Sequence, residues 1–198
     1  MKRAGITKAE TRLAVAREAL ARIKASSSYQ EFEPAWAGLL IALNTVHSVL
    51  EQSAQASAES RQWYDRKKLE RKSDPLLQYV HQARNADEHG IEPIAVHVPG
   101  AMSIGPNGES VHIDYMEISP NGRVEGRFIP VDGKFPTIGF TAPHVRLAPV
   151  KNRGVTYDPP REHLGQKLTN GASPLDVATM AFQYHEVLIA EASKLPSE

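Results

Sequence analysis

Apolar residues recur at helical spacing up to about residue 90 and at the alternating spacing of strands beyond it, so the chain changes character once along its length. From Thr7 to Lys24, Leu13, Ala16, Leu20 and Ile23 repeat at three- and four-residue steps while Arg and Lys fill the other faces, which predicts an amphipathic helix. Ser26-Ser27-Ser28 breaks it. A longer helix is predicted from about Gln30 to Ser57, with Phe32, Trp36, Leu39, Leu40, Leu43, Val46, His47 and Leu50 in one stripe. The connection between the two is short, which makes them antiparallel neighbours. Ser60 to Lys72 reads as a third helix. Ser73-Asp74-Pro75 then gives a start signal for a fourth, Pro75 to His89, which turns Leu76, Leu77, Val80 and Ala83 inward. Gly90 is predicted as a left-handed stop.

After Ile91 the prolines at 93, 99, 106, 120, 130, 136 and 143 leave no room for a helix of useful length. Ile94–Val98, Val111–Ile118, Arg123–Ile129 and Val145–Val150 read as strands, with Val111, Ile113 and Tyr115 alternating with His112 and Asp114. Pro106-Asn107-Gly108 and Pro120-Asn121-Gly122 are turn signals, the second placed like a hairpin loop. The expectation is an antiparallel sheet of about three to five strands. Lys151 to Gly171 reads as irregular, with Pro159-Pro160 in its middle. Ser173-Pro174-Leu175-Asp176 caps a last helix reaching about Lys194, whose apolar face is Ala178, Phe182, His185, Ile189 and Ala192. The fold class is therefore α+β. Residues 1–90 form an antiparallel helical bundle, 91–150 a small antiparallel β insertion, and 151–198 an irregular connection ending in a helix that docks on the bundle.

Composition narrows the function classes. Hydrophobic residues make up 41% and charged residues 23% of the 198, which is neither a disordered nor a membrane composition. The longest apolar run, Ala35–Leu43, is about half a bilayer span, and the basic Met1-Lys2-Arg3-Ala4-Gly5 has no apolar stretch behind it. With no cysteine there are no disulfides or thiolate sites, so the expectation is a cytoplasmic protein without membrane attachment. The 23 basic and 23 acidic residues cancel, which excludes a globally cationic nucleic-acid binder. One local strip stands out. Arg61, Arg66, Lys67, Lys68, Arg71 and Lys72 face only Asp65 and Glu70, as either a solvated helix face or a phosphate-attracting surface.

The chemistry-bearing segment is Ala83-Arg84-Asn85-Ala86-Asp87-Glu88-His89. Arg84 lies seven residues after Leu77 and four after Val80, on the side expected to be buried, where a guanidinium needs a partner. His81, Asn85 and His89 follow one another at four-residue steps as a polar row. An arginine followed by a polar residue and then a histidine, on a helix of a small bundle, resembles the HEPN superfamily. Here the motif is Arg84, Asn85 and His89, and the resemblance covers roughly residues 7–90 together with the last helix. The β insertion departs from the family's minimal pattern.

The resemblance implies a metal-independent endoribonuclease acting by 2′-hydroxyl attack, homodimeric, with no cofactor or metal, and with an antitoxin or other protein as a further partner. In that chemistry His89 is the general acid/base, Arg84 clamps the phosphate, and Asn85 orients either of them. Arg66, Lys67, Lys68 and Arg71 would hold the RNA backbone. Arg84 and His89 are five apart and diverge by roughly 140° on a regular helix, so they meet only if the helix unwinds near Gly90 or two chains combine. Asp87 and Glu88 repel RNA unless they are paired. The alternative is a non-catalytic HEPN-like dimeric binding module whose β insertion recognises a ligand or a protein. Among the other histidines, His47 and His185 are expected to be satisfied core residues. His97, His112 and Asp114 read as surface residues of the sheet, and Arg161-Glu162-His163 as part of a loop. Gly105 to Gly108 is too short for a phosphate loop.

Overall fold

The computed structural model describes residues 1–105, 110–119, 123–133, 135, 137–168 and 173–196, with the side chains of His89 and Asp132 outside that description. The two Pro-Asn-Gly turn signals and Pro136 also lie outside it. The architecture is α+β, with five α-helices and short antiparallel strand pairs among the described residues. Met1–Val96 and Val145–Glu198 form one compact unit, and His97–His144 form a second.

In the first unit, α1 (Arg3–Ala25) and α2 (Tyr29–Ala54) make the most extensive helix contact of the fold. Two features explain how they lie so close. Alanines Ala9, Ala16 and Ala19 are buried along α1, and Gly5 sits where an added Cβ would come within 2.5 Å of Ser53. Ser28 caps α2 by accepting from Glu31 N at 3.3 Å, while the Glu31 carboxylate reaches back to Ser27 N at 2.8 Å. α2 ends at Ala54, three residues before the predicted end at Ser57, and its last residues Ser53 and Ala54 are buried. Ser57 caps α3 (Ala58–Ser73).

α4 (Pro75–His89) starts at Asp74, whose side chain accepts from Leu77 N at 2.8 Å, with Pro75 in the first turn. It ends differently from expectation. Gly90 is extended at φ −103°, and not left-handed, because the chain runs on toward the next strand. Glycine is required there for closeness, since a Cβ would come within 2.5 Å of the Ala86 carbonyl oxygen. α5 (Pro174–Ala192) opens with a capping box between Ser173 and Asp176 and packs on α1, α2 and α4. Its buried face includes Val177, Ala181, Leu188 and Ile189, which join Trp36, Leu39, Leu43 and Leu50 of α2 in the core.

The β structure differs from a single sheet of three to five strands. Among the described residues it consists of five two-stranded ladders. β1 (Ala95–Val98) pairs with β6 (His144–Leu147), and the predicted strand Val145–Val150 is split by Ala148 and Pro149 into β6 and β7 (Val150–Asn152). The stretch expected to be irregular contains two tight hairpins, β7 with β8 (Val155–Tyr157) and β9 (Glu162–His163) with β10 (Gln166–Lys167). Their two-residue loops, Arg153-Gly154 and Leu164-Gly165, have positive φ at both positions, the backbone of a type I′ turn.

The second unit holds the ladders β2 (Ala101–Ile104) with β5 (Ile138–Thr141) and β3 (Val111–Ile118) with β4 (Val124–Pro130). A bulge between Ile113 and Tyr115 interrupts the expected alternation. Ile113 pairs with Phe128 and Met116 with Gly126, so Val111, Ile113, Met116 and Ile118 share one face while His112, Tyr115 and Glu117 share the other. None of the described residues of this unit is buried.

Asp74 ties α4 to the β9–β10 hairpin. Besides capping the helix, its nearly buried carboxylate takes a hydrogen bond from Leu164 N at 2.6 Å and from His163 Nδ1 at 3.0 Å. Asp74→Ala removes a helix cap and strands two donors, and is expected to cost about 2–4 kcal/mol of stability. Urea unfolding measures this, and a loss below about 0.5 kcal/mol, the level of an ordinary surface change, contradicts it.

Candidate functional site

α4 presents two faces. Leu76, Leu77, Tyr79, Val80 and Ala83 are buried, and His81, Gln82, Arg84 and Asn85 form a half-buried polar border. Tyr79 anchors the inner face by donating from Oη to the Ala148 carbonyl at 2.7 Å, and burial pushes its phenol pKa up.

The polar border is wired as a chain. Arg84 pairs with Glu88 one turn on, Nη2 to Oε1 at 2.6 Å, and Nη1 donates to Asn85 Oδ1 at 3.2 Å. Its Nε is buried with no hydrogen-bond partner among the described residues. Asn85 Nδ2 lies 3.5 Å from His81 Nε2, and His81 Nδ1 lies 3.2 Å from Asn44 Oδ1 of α2. With the proton on Nδ1, His81 donates to Asn44 and turns a bare Nε2 toward Asn85. Burial, then Arg71 and Arg84, lower its pKa to about 4, so the ring is neutral at neutral pH.

Arg84 and Asn85 are thus brought together, but the guanidinium is held by a carboxylate of its own helix. His89 belongs to α4, which stays helical through that residue, so no unwinding turns its backbone toward Arg84. Its side chain lies outside the described residues. The surroundings are acidic. Burial, then Glu33 and Glu88, raise the Asp87 carboxyl pKa, and Tyr29 Oη lies 2.9 Å from Glu33 Oε1 and 2.8 Å from the Ala95 carbonyl.

The basic strip is dispersed. Lys67 Nζ pairs with Glu191 of α5 at 3.0 Å and Lys68 Nζ with Glu51 of α2 at 2.6 Å. Arg71 lines a small pocket of about 10 Å³ with His47, His81 and His185. Of the four cations proposed to hold RNA, Arg66 is the one left on the exposed side without an ion pair among the described residues. In the second unit His97, His112 and Asp114 are exposed, and Asp114 Oδ2 lies 3.7 Å from Arg127 Nη1. No group of three potential metal ligands occurs among the described residues.

Sequence reasoning missed the wall opposite α4. The β7–β8 hairpin turns Asn152, Val155 and Tyr157 toward His81, Gln82 and Asn85, and together with Arg153 these residues enclose an open cleft of about 470 Å³. Asn152 Nδ2 donates to Gln82 Oε1 at 2.7 Å across it. The available signal was the Arg153-Gly154 pair between two β-rich triplets, in a stretch read as irregular.

No protein-family model, curated protein or solved structure matches this chain. No helix of the described residues is long and apolar enough to cross a membrane.

The two core histidines differ from expectation in their hydrogen bonding. His185 Nδ1 donates to the Ala181 carbonyl at 2.6 Å, but its Nε2 and both ring nitrogens of His47 have no partner among the described residues. The rings meet edge to face at 4.8 Å. Burial lowers both pKa values, to about 4 for His185 and well below the ordinary range for His47, where His185, Arg71 and His81 add repulsion. The unfolded chain binds protons at these sites from about pH 6.5 downward while the folded chain does not, so stability is full above that pH and falls as pH drops toward 4. The unfolding free energy from urea titrations is expected to decline by about 1 kcal/mol per pH unit for each of the two groups between about pH 6.5 and 4.5. The slope should flatten in His47→Gln, and an unchanged slope contradicts the assignment.

Proposed function

We propose that this chain is a HEPN-like module whose motif-bearing helix is a binding face and does not cleave RNA. Support for the family reading is the motif Arg84, Asn85 and His89 at the end of the fourth helix of a five-helix unit, in which a long helix pair leads and the last helix packs back. The observation that carries the non-catalytic reading is the Arg84–Glu88 pair. A guanidinium clamped at 2.6 Å by a carboxylate offers little net positive charge to a developing phosphorane. Freeing it would cost the charge pair. The acidic group formed by Glu33, Asp87 and Glu88 adds repulsion toward a polyanion.

The remaining implications of the resemblance belong to the same proposal. They are a homodimer, RNA as a ligand, contact through Arg66, Lys67, Lys68 and Arg71, an antitoxin or other protein partner, and a cytoplasmic setting. In this reading α4 and its neighbouring cleft bind, and a partner protein recognises the β unit, whose exposed Ile113, Tyr115, Met116 and Phe140 offer apolar contact. Metal-independent cleavage would need a second chain to bring its His89 to Arg84.

The test is incubation of single-stranded and hairpin RNAs with the protein in excess EDTA. Wild type and Glu88→Gln are both expected to leave the RNA intact at background rate. Chelator-resistant cleavage by wild type that disappears in Arg84→Ala and His89→Ala overturns the binding reading in favour of a nuclease.

A further inference from the structure

The unit His97–His144 has no interior of its own, since none of its described residues is buried. Its two ladders are nonetheless sorted by side. In β3–β4 the pairs Ile113–Phe128, Met116–Gly126 and Ile118–Val124 lie on one side, and none of these residues has a charged or hydrogen-bonding side chain. Glu117, Glu125 and Arg127 lie on the other. In β2–β5 the pairs Met102–Phe140 and Ile104–Ile138 likewise share a side, opposite Ser103 and Thr141. A two-stranded ladder is at best marginally stable in water unless its apolar side is covered. Ile113, Met116, Ile118, Ile138 and Phe140 are instead 40% to 64% exposed.

The chemistry of these sides narrows what can cover them. By sequence the unit holds three basic residues, Arg123, Arg127 and Lys134, against five acidic ones. That balance disfavours a nucleic acid or an anionic lipid surface. The apolar sides carry no charge, so they offer no pattern for a charged protein surface to match. An equally apolar side fits them, and a second copy of the chain supplies one. The five exposed side chains present roughly 500 Å² per copy, toward the upper end for the largest apolar patch of a monomer. Two copies laid side against side remove roughly 1,000 Å² in total, the area at which a specific interface begins. A polar partner surface would contribute none of the second half of that apolar area. Glu117, Glu125 and Arg127 stay in water in such a pair, because they lie on the outer sides.

We infer that the chain forms a twofold homodimer in which the apolar sides of the β2–β5 and β3–β4 ladders pack on those of a second copy, as the two layers of a β-sandwich. The inference rests on the reading of the β unit as a protein-contact surface, and it names a second copy of this chain as the partner. The interface is built from strands and needs no residue of α4.

Sedimentation velocity of the full chain tests it. The wild type is expected to be predominantly dimeric at about 100 µM. Met116→Lys combined with Ile118→Lys puts two charges on the apolar side and is expected to raise the dimer dissociation constant about a hundredfold or more. Glu117→Lys, on the opposite side, is expected to change it by less than about threefold. Helical content read by circular dichroism is expected to match the wild type in both, because neither Met116 nor Ile118 belongs to the buried core. The chain has no cysteine, so Ile113→Cys, Met116→Cys and Ile118→Cys give a second readout that keeps the side apolar. Mild oxidation is expected to yield a disulfide-linked dimer from at least one of them and none from Glu117→Cys. A wild type that stays monomeric at about 100 µM overturns the inference and leaves the unit to a different protein or a lipid surface. A dimer that survives the double lysine substitution overturns it by placing the interface elsewhere in the chain. Cross-linking no stronger from the apolar side than from Glu117→Cys overturns it as well. None of these outcomes touches the RNA cleavage assay, which decides separately whether the motif-bearing helix is catalytic.

Discussion

A single buried carboxylate holds α4 in place. Asp74 is almost out of contact with water, and it accepts hydrogen bonds from three places: the first turn of α4, the turn of the β9–β10 hairpin and the His163 ring. A buried carboxylate is tolerated when its oxygens are saturated, and here the saturation comes from parts of the chain some ninety residues apart. Fixing the start of α4 sets the rotation of the helix. That rotation decides which residues look into the core and which look at the β7–β8 hairpin. The second anchor, Tyr79 to Ala148, fixes the same helix to the connection between β6 and β7.

With α4 so held, its polar residues fall into two electrostatic districts. Toward its end, Arg84 is consumed by Glu88 and Asn85 amid further carboxylates. Toward its middle, neutral His81 and the amides of Gln82 and Asn85 face a wall whose one charge is Arg153. The dispersal of the α3 cations has the same cause. Lys67 and Lys68 serve as links from α3 to α5 and α2, and these partly buried pairs remove free charge from the surface.

The helical half was legible in the sequence because its signals are local and mutually consistent. Asp74-Pro75 and Ser173-Pro174 pair a cap with a first-turn proline, and the apolar stripes of α2 and α5 have the right period. The β half was less so. Two hairpins were hidden because Arg153 and Leu164, in place of asparagine or aspartate, open their turns. The β3 bulge was invisible because alternation read from one strand says nothing about its partner's register. Gly90 misled because glycine serves both positive φ and close approach, and only the position of the Ala86 carbonyl tells which. At the site, the burial and need for a partner of Arg84 were readable from its place on the helix, whereas the identity of the opposing wall depended on folding of a segment that carries no period. The histidines on apolar stripes were correctly placed inside, but pattern does not reveal whether a ring nitrogen finds a partner.

Arg84 is latched within its own helix by Glu88. A double-mutant cycle on Arg84→Ala and Glu88→Ala, read by urea unfolding at low salt, measures that latch directly. Both side chains are mostly sheltered, at 25% and 31% exposure, so the coupling is expected to exceed the value for open helix pairs and reach about 0.5 kcal/mol or more. Additivity of the two substitutions within about 0.3 kcal/mol, which is the behaviour of independent residues, would contradict the account and return Arg84 to the pool of free cations.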